Sequence, residues 1–426
     1  MFEFDDRVTV SPRGRVTQRS RSARSRSARS ATRPRAGRVI RLTATLSLFL
    51  VFVSFVSSVF LAPSSISVPI RAVEWVKNNG ANGFVLSVEN FYYTLTAPSK
   101  GGKVLKALPK QSGRTLAAGK RGSRTGLGNG VSAAAAAAYQ PPPIKPLIKP
   151  ALPGEGQWRA PFKEPGLKYP PVLITSYRSD PAYPQMVAGV AWINTGAVDI
   201  NYYPGIQEPS VNLPSRGPEM VPTNLRYKLL ATFNSGFKLV DSGGGVVVNR
   251  HTYAPLKRGD ATFVKYTNGK VNVIAWHSGP VAGPNVLYAR QNLPLIVNNG
   301  QPNPNLSNGP QWGATLGNAV QVWRSAVGID KHGDIIYAAA NYQTVGSLAQ
   351  IMIHAGAVRA MEMDINYEWP SFITYTGPGA VGAANLLPGM AQSPERYLTP
   401  DIRDFYAVYL KPSDLATRRR ATRATG

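Results

Sequence analysis

Glu362, Asp364 and Glu368 follow one another where the apolar run 358–364 gives way to polar residues. Carboxylates gathered at the end of such a run can act as acid, base or nucleophile. On an extended strand successive side chains alternate, so Met361 and Met363 face one way and Glu362 and Asp364 the other. A carboxylate pair therefore emerges at a strand end, followed by Asn366, Tyr367 and Glu368.

The elements that position these acids are legible just upstream. Residues 325–329 and 335–340 are apolar runs separated by Asp330-Lys331-His332-Gly333, a polar turn with a glycine available for positive φ, which predicts a hairpin. A helix is expected over 347–355. Ser347 and Gln350 have capping-box spacing, Leu348, Ile351, Met352 and Ala355 recur at helical period, and Gly356 supplies a stop.

Ala231-Thr232-Phe233-Asn234-Ser235-Gly236-Phe237 resembles the F-N-G-G-F-F signature, and Pro294-Leu295-Ile296-Val297-Asn298-Asn299-Gly300 the L-I-V-D-G-G segment, of the phosphodiester glycosidase domain, a family widespread in bacterial envelope proteins. Arg324-Ser325-Ala326-Val327-Gly328 resembles R-T-A-I-G, and Met363-Asp364 the start of L-D-G-G-G-S. The resemblance spans roughly residues 170–410. The chain departs from it twice. Asp364-Ile365-Asn366-Tyr367-Glu368 replaces three glycines with side chains that resist positive φ, Asn least of all, and Ser235 and Lys238 stand where the family has Gly and Phe.

The resemblance implies cleavage of a sugar phosphodiester, in which positive charge develops at the anomeric carbon while phosphate departs. Such a site needs a carboxylate to stabilise the charge, or to act as nucleophile or base, and donors to hold the phosphate. Asp364 is the first candidate, with Glu362 and Glu368 as partners; a loop-capping role for Asp364, an inward-facing Glu362 and a solvated Glu368 are the plainer alternatives. Arg324 suits a phosphate through its planar fork, or else closes a salt bridge at the strand start. Asn234 and Gly236 follow an apolar strand, where an amide and a backbone N–H can read a substrate. Asn299 belongs to a type I′ turn or touches ligand, and Tyr367 offers a stacking face, as do Trp312 and Trp369.

The chain of 426 residues carries a formal charge of +26, unevenly spread. Residues 1–41 hold twelve Arg against three acids, and residues 42–150 twelve basic against two acidic residues; the remainder holds twenty-four against seventeen, and with Arg418, Arg419, Arg420 and Arg423 of the tail set aside its folded part is nearly balanced. Nucleic acid is therefore not an expected partner. Residues 42–62 are uncharged and long enough to span a bilayer, and the arginines ahead of them predict a cytoplasmic N-terminus with the main domain outside. A cleaved signal peptide is the competing reading.

Ser-Arg repeats in 1–41 and the basic tail 412–426 read as disordered, residues 63–98 as a juxtamembrane segment, and residues 99–157, rich in Lys, Gly, Ala and Pro, as a linker. The basic segments suit anionic lipid or wall polymer. With no Cys, and with four His at no ligand spacing, neither a disulfide, a metal nor a cofactor is expected. Residues 158–411 read as a mixed α/β (α+β) domain on a central, mostly antiparallel or mixed sheet with few helices. Two functions stay open on these residues: a membrane-anchored extracytoplasmic hydrolase of an envelope sugar-phosphate polymer or glycan, and a catalytically silent glycan-binding module. A structural envelope protein is a third.

The topology is testable. Protease added to intact cells should release a soluble fragment cut within 99–157; release only after permeabilisation would reverse the orientation.

Overall fold

The computed structural model describes residues 33–61, 68–80, 97–111, 114–115, 139–161, 169–313 and 320–412, with isolated positions at 88, 91 and 95. The Ser-Arg repeats, the alanine run 133–138 and most of the basic C-terminal tail lie outside them.

The helix α1 (Arg33–Val56) continues through a wider turn to Leu61. Over Arg38–Leu61 it is the one helix among the described residues long and apolar enough to cross a membrane. A shorter helix, α2 (Val68–Asn78), follows.

The domain's strands are β1 (Val172–Arg178), β2 (Val187–Ile193), β3 (Val198–Tyr203), β4 (Leu229–Asn234), β5 (Val246–Val248), β6 (His251–Ala254), β7 (Asp260–Tyr266) and β8 (Val271–Ala275). They continue as β9 (Val286–Asn298), β10 (Val322–Asp330), β11 (Ile335–Gln343), β12 (Ala357–Ile365), β13 (Phe372–Gly377), β14 (Val381–Asn385) and β15 (Phe405–Leu410), with helix α3 (Val345–His354) between β11 and β12. The fold is thus mostly antiparallel sheet with few helices, as the strand periodicity predicts. One large sheet runs β1-β2-β11-β10-β12-β9-β5-β6, with β7 and β8 attached through β9, and a second runs β14-β13-β4-β15-β3.

Alternation along each strand decides which layer a side chain joins. Ala191 and Ile193 of β2 face the second sheet, whose Phe233, Tyr406 and Val408 complete the core between the two. Val190 and Trp192 of the same strand face the other way, where Leu348 and Met352 of α3 cover them. The central sheet is thereby buried on both faces.

The hairpin forms as expected, pairing Ile329 with Ile335, and Asp330 accepts the backbone N–H groups of His332 and Asp334 at 2.7 and 3.0 Å. Helix α3 starts earlier than its spacing suggested. Its cap is Thr344, which exchanges hydrogen bonds with Ser347 in place of the expected Ser347–Gln350 box. The hydroxyl of Ser347 reaches back to Thr344 N–H at 3.0 Å, a job that a Glu or Gln usually performs.

Composition also misplaces residues 139–157 within the linker. Ile144 is buried in the core beside α3, and Glu155 makes a buried ion pair with Arg178 at 2.8 Å. Arg178 further donates to the carbonyls of Ile148 and Pro150. Proline fixes the stretch in an extended form with few amide donors, and side chains at its ends supply the anchorage.

A chain starting at Trp158 leaves Arg178 buried without its carboxylate, a loss of about 3–5 kcal/mol. Its urea midpoint should fall well below that of a chain starting at Tyr139. Matching midpoints would show that residues 139–157 contribute nothing.

Candidate active site

The cleft opens where strand ends from the two sheets come together. Strand β4 of the second sheet stops at Asn234, β12 of the large sheet carries Asp364 as its penultimate residue, and Arg403 stands just before β15. Two hydrogen bonds tie these ends together: Asp364 N–H donates to Ser235 carbonyl at 3.0 Å, and the side chain of Arg403 donates through Nη2 to Gly236 carbonyl at 3.3 Å. The result is a cleft of about 510 Å³, a size that suits a small ligand. Its walls include Asp364, Asn366, Trp369, Arg403, Lys238 and, from α2, Glu74 and Lys77.

Asp364 is the sequence candidate that opens on this cleft. One carboxylate oxygen accepts from Ile365 N–H at 3.0 Å and the other from Arg403. Burial raises its pKa to about 7, outweighing the opposing pull of Arg403. Arg403 lies over the Trp369 ring, 4.8 Å from its centroid, and its buried Nε has no hydrogen-bond partner among the described residues.

Glu362 shares the face of Asp364, as alternation requires, but lies behind the cleft rather than on it. It is fully enclosed and paired with Arg324 at 2.5 Å; burial lifts its pKa to about 7 against that pairing. Glu368 is also mostly buried and meets Lys77 of α2 at 3.8 Å, so it is not a solvated acid. Tyr367 is 43% exposed and lies outside the cleft wall, whereas Trp369 forms part of that wall.

Arg324 and Asn234 correct the sequence reading. Arg324 has no exposure; besides Glu362 it donates to the carbonyls of Trp312, Gly313, Val320 and Gln343 at 2.8–3.2 Å. With its donors spent on the loop after residue 310, it has none left for a phosphate. Asn234 is equally committed. Its oxygen accepts from Tyr337 hydroxyl at 2.8 Å and Ser371 N–H at 3.0 Å, while its nitrogen donates to Ser235 carbonyl and Ser325 hydroxyl. Ser325 in turn donates to the carbonyl of Asp364 at 2.7 Å. Asn234 therefore positions the strand end that bears Asp364 and does not read substrate.

Gly236 lets Asn292 approach; a Cβ there would meet Asn292 Cγ at 3.3 Å. Asn299 and Gly300 have φ of 51° and 71° and close the β9 hairpin as a two-residue turn away from the cleft, so Asn299 is a turn residue. Asn366 holds φ of 78°. The backbone thus keeps a left-handed turn after Asp364 without a glycine, because Asn tolerates that region.

Sequence reasoning missed Arg403, and its signal was the run Asp401-Ile402-Arg403-Asp404 ahead of an apolar strand. Asp401 accepts Arg403 N–H at 2.8 Å and pairs with Arg396 at 2.7 Å. Asp404 pairs with Arg290 at 2.8 Å and accepts from Tyr202 at 2.7 Å. Burial alone would raise the Asp404 pKa, but Arg290 wins and the net shift is downward. Among the described residues no cluster of His and acids has the makings of a metal site.

These contacts separate structure from chemistry in a measurable way. Arg324→Met strands a buried carboxylate and several carbonyls, so it should cost about 3–5 kcal/mol in chemical denaturation. A change below ~1 kcal/mol would mean that the guanidinium is not committed to the fold.

Residues 227–364 match the family model described as phosphodiester glycosidase. No curated protein matches the chain. Among solved structures, the catalytic domain of zebrafish N-acetylglucosamine-1-phosphodiester alpha-N-acetylglucosaminidase is similar at 14% identity and a TM-score of 0.38, covering 57% of this chain and 85% of that one. A hypothetical protein from Synechocystis is similar at 12% identity and a TM-score of 0.35, covering 57% of this chain and 63% of that one. An exported protein from Burkholderia pseudomallei matches at 11% identity and a TM-score of 0.24, covering 55% of this chain and 76% of that one. The matched segment runs from just before β4 through Asp364, and so includes the cleft's aspartate and the end of β4 that holds it.

Proposed function

We propose that this protein is a membrane-anchored, extracytoplasmic hydrolase that cleaves a sugar phosphodiester of the cell envelope. The observation that carries the reading is Asp364 on the cleft wall beside an arginine that lies over the Trp369 ring and whose Nε lacks an acceptor among the described residues. The family match over residues 227–364 supports the reaction class.

In this reading the bond between the anomeric carbon and the phosphate oxygen breaks, and the phosphate monoester leaves with the electron pair. The Asp364 carboxylate faces the positive charge that develops on the sugar, as nucleophile, base or electrostatic partner. Water supplies the hydroxyl that ends on the sugar. Arg403 and Lys238 hold the departing phosphate, Arg403 through a fork suited to oxyanions. Lys238 is one of the family departures, and its side chain is 36% exposed at the rim, so this chain adds a cation where the family has an aromatic ring. Trp369 gives the sugar an apolar face.

A panel of glycosyl phosphodiesters tests the assignment. Asp364→Asn should abolish turnover while circular dichroism shows the fold retained, although its urea midpoint falls because the buried Arg403 loses its carboxylate. In the wild type, kcat/KM should rise with pH through about 7 as Asp364 ionises. Activity retained in Asp364→Asn sinks the assignment. A wild type that turns over nothing, yet binds envelope glycan through Trp369 or Tyr367, replaces the enzyme with a silent binding module.

A further inference from the structure

Strand β3 is an outer strand of the second sheet, pairing among the described residues only with β15. Its Ile200 and Tyr202 enter the core between the sheets, so Asp199, Asn201 and Tyr203 lie on the opposite face. Lys265 belongs to β7, which is attached to the large sheet through β9. It shares the inward parity of Ala261 and Phe263, and its side chain, 6% exposed, reaches Asp199 and Asn201 past the open edge of β3. Lys265 Nζ ends 2.7 Å from Asp199 Oδ1 and 2.7 Å from Asn201 Oδ1.

This trio brings together a nucleophile, an acceptor for its proton and an amide that can be attacked. With a C=O bond of ~1.2 Å, a hydrogen bond of that length puts Asn201 Cγ about 3–4 Å from Nζ, close to the spacing of a reacting pair. The Asp199 carboxylate is bonded to the same nitrogen, where it can take the proton that an amine sheds before it attacks. Tyr288, opposite Lys265 across the β7–β9 pairing, and Tyr203 complete the surroundings. Burial raises the hydroxyl pKa of both, which leaves Asp199 as the group that exchanges protons.

We propose that Lys265 and Asn201 join in an intramolecular isopeptide bond, with Asp199 moving the protons. Asp199 takes a proton from the ammonium, and the freed electron pair of Nζ attacks Asn201 Cγ to form the Nζ–Cγ bond. Asp199 passes that proton to Nδ2, and the Cγ–Nδ2 bond breaks with its electron pair staying on nitrogen. Nζ then gives up its second proton through Asp199 to the departing ammonia, so ammonium leaves and Asp199 ends as it began. No oxidant takes part. The link closes a loop across 64 positions and joins the two sheets whose strand ends frame the cleft, in a chain with no Cys for a disulfide. It stands apart from the hydrolase reading.

The test is mass spectrometry of the full chain, purified in detergent and aged for days. The wild type should weigh about 17 Da less than its sequence demands, the mass of one ammonia, and digestion should yield a branched peptide joining the segments that hold Asn201 and Lys265. Lys265→Arg keeps a cation beside Asp199 but no amine to attack, and it should keep its full mass. Asp199→Ala should keep its full mass too, with a circular dichroism spectrum like that of the wild type. A wild type at full mass overturns the proposal and leaves an ion pair beside an amide. A loss that persists in Lys265→Arg, as from succinimide closure at an Asn-Gly pair, overturns it as well, and so does a branched peptide that forms in Asp199→Ala.

Discussion

Arg290, Arg324, Arg396 and Arg403 sit at the cleft end of the domain with almost no contact with water, and each is matched by its own carboxylate. An unpaired charge in such surroundings costs several kcal/mol, so the ends of both sheets are arranged around keeping these four pairs complete. The pairs are not equivalent. Arg324 spends its donors on Glu362 and four carbonyls, and Arg290 on Asp404 and the carbonyls of Phe237 and Gln291. Arg396 binds Asp401 twice and also reaches Trp369 carbonyl and Ser371. Arg403 has a buried Nε with no acceptor among the described residues, and Arg403 is the member that lines the cleft. An unsatisfied buried donor on a cleft wall is what a binding group looks like before its ligand arrives.

The completed pairs explain how two sheets hold one aspartate in place. Arg290 ties the loop after β4 to the start of β15, because it binds Phe237 carbonyl and Asp404 at once. Asn234 ties β4 to β10, β11 and the approach to β13 through Ser325, Tyr337 and Ser371. The resemblance to family motifs fell largely on these residues. A motif can be recognisable because it fixes the geometry of a site without touching substrate, and Asn234 and Arg324 are of that kind.

Much of the fold was legible because apolar alternation reports burial directly: β2, β7, β10, β11 and β15 follow from their own residues. Strand β9 begins nine residues ahead of the apolar run Leu295 to Val297, where Arg290, Gln291 and Asn292 interrupt the apolar pattern. Those three are buried by partners distant in sequence, which no local pattern encodes. The same limit hid Arg403, whose meaning depends on Asp364, thirty-nine residues earlier. It also hid α2 as a cleft wall, because Glu74 and Lys77 on a short helix read like any solvated face. Asp364 was legible for the opposite reason: strand parity and the turn after it are local properties, and Asn366 preserved the turn when the glycines went.

Burial of Asp364 also sets a cost that the rest of the domain must absorb. Its folded-state pKa of about 7 stands above the unfolded value near 3.9, so the folded state holds the proton more tightly. The stability this lends is full below about pH 4 and is lost as pH rises through about 7. At neutral pH and above, the fold therefore carries an ionised group it would hold more easily as the acid, on the order of 4 kcal/mol against it. Arg403 offsets part of that cost but not all, because burial remains the larger influence. A structural capping aspartate gains nothing from such a position, since a protonated or amide side chain would cap as well. A carboxylate kept on a cleft wall under that penalty, beside a guanidinium with a donor to spare, is the pattern expected where stability has been exchanged for reactivity.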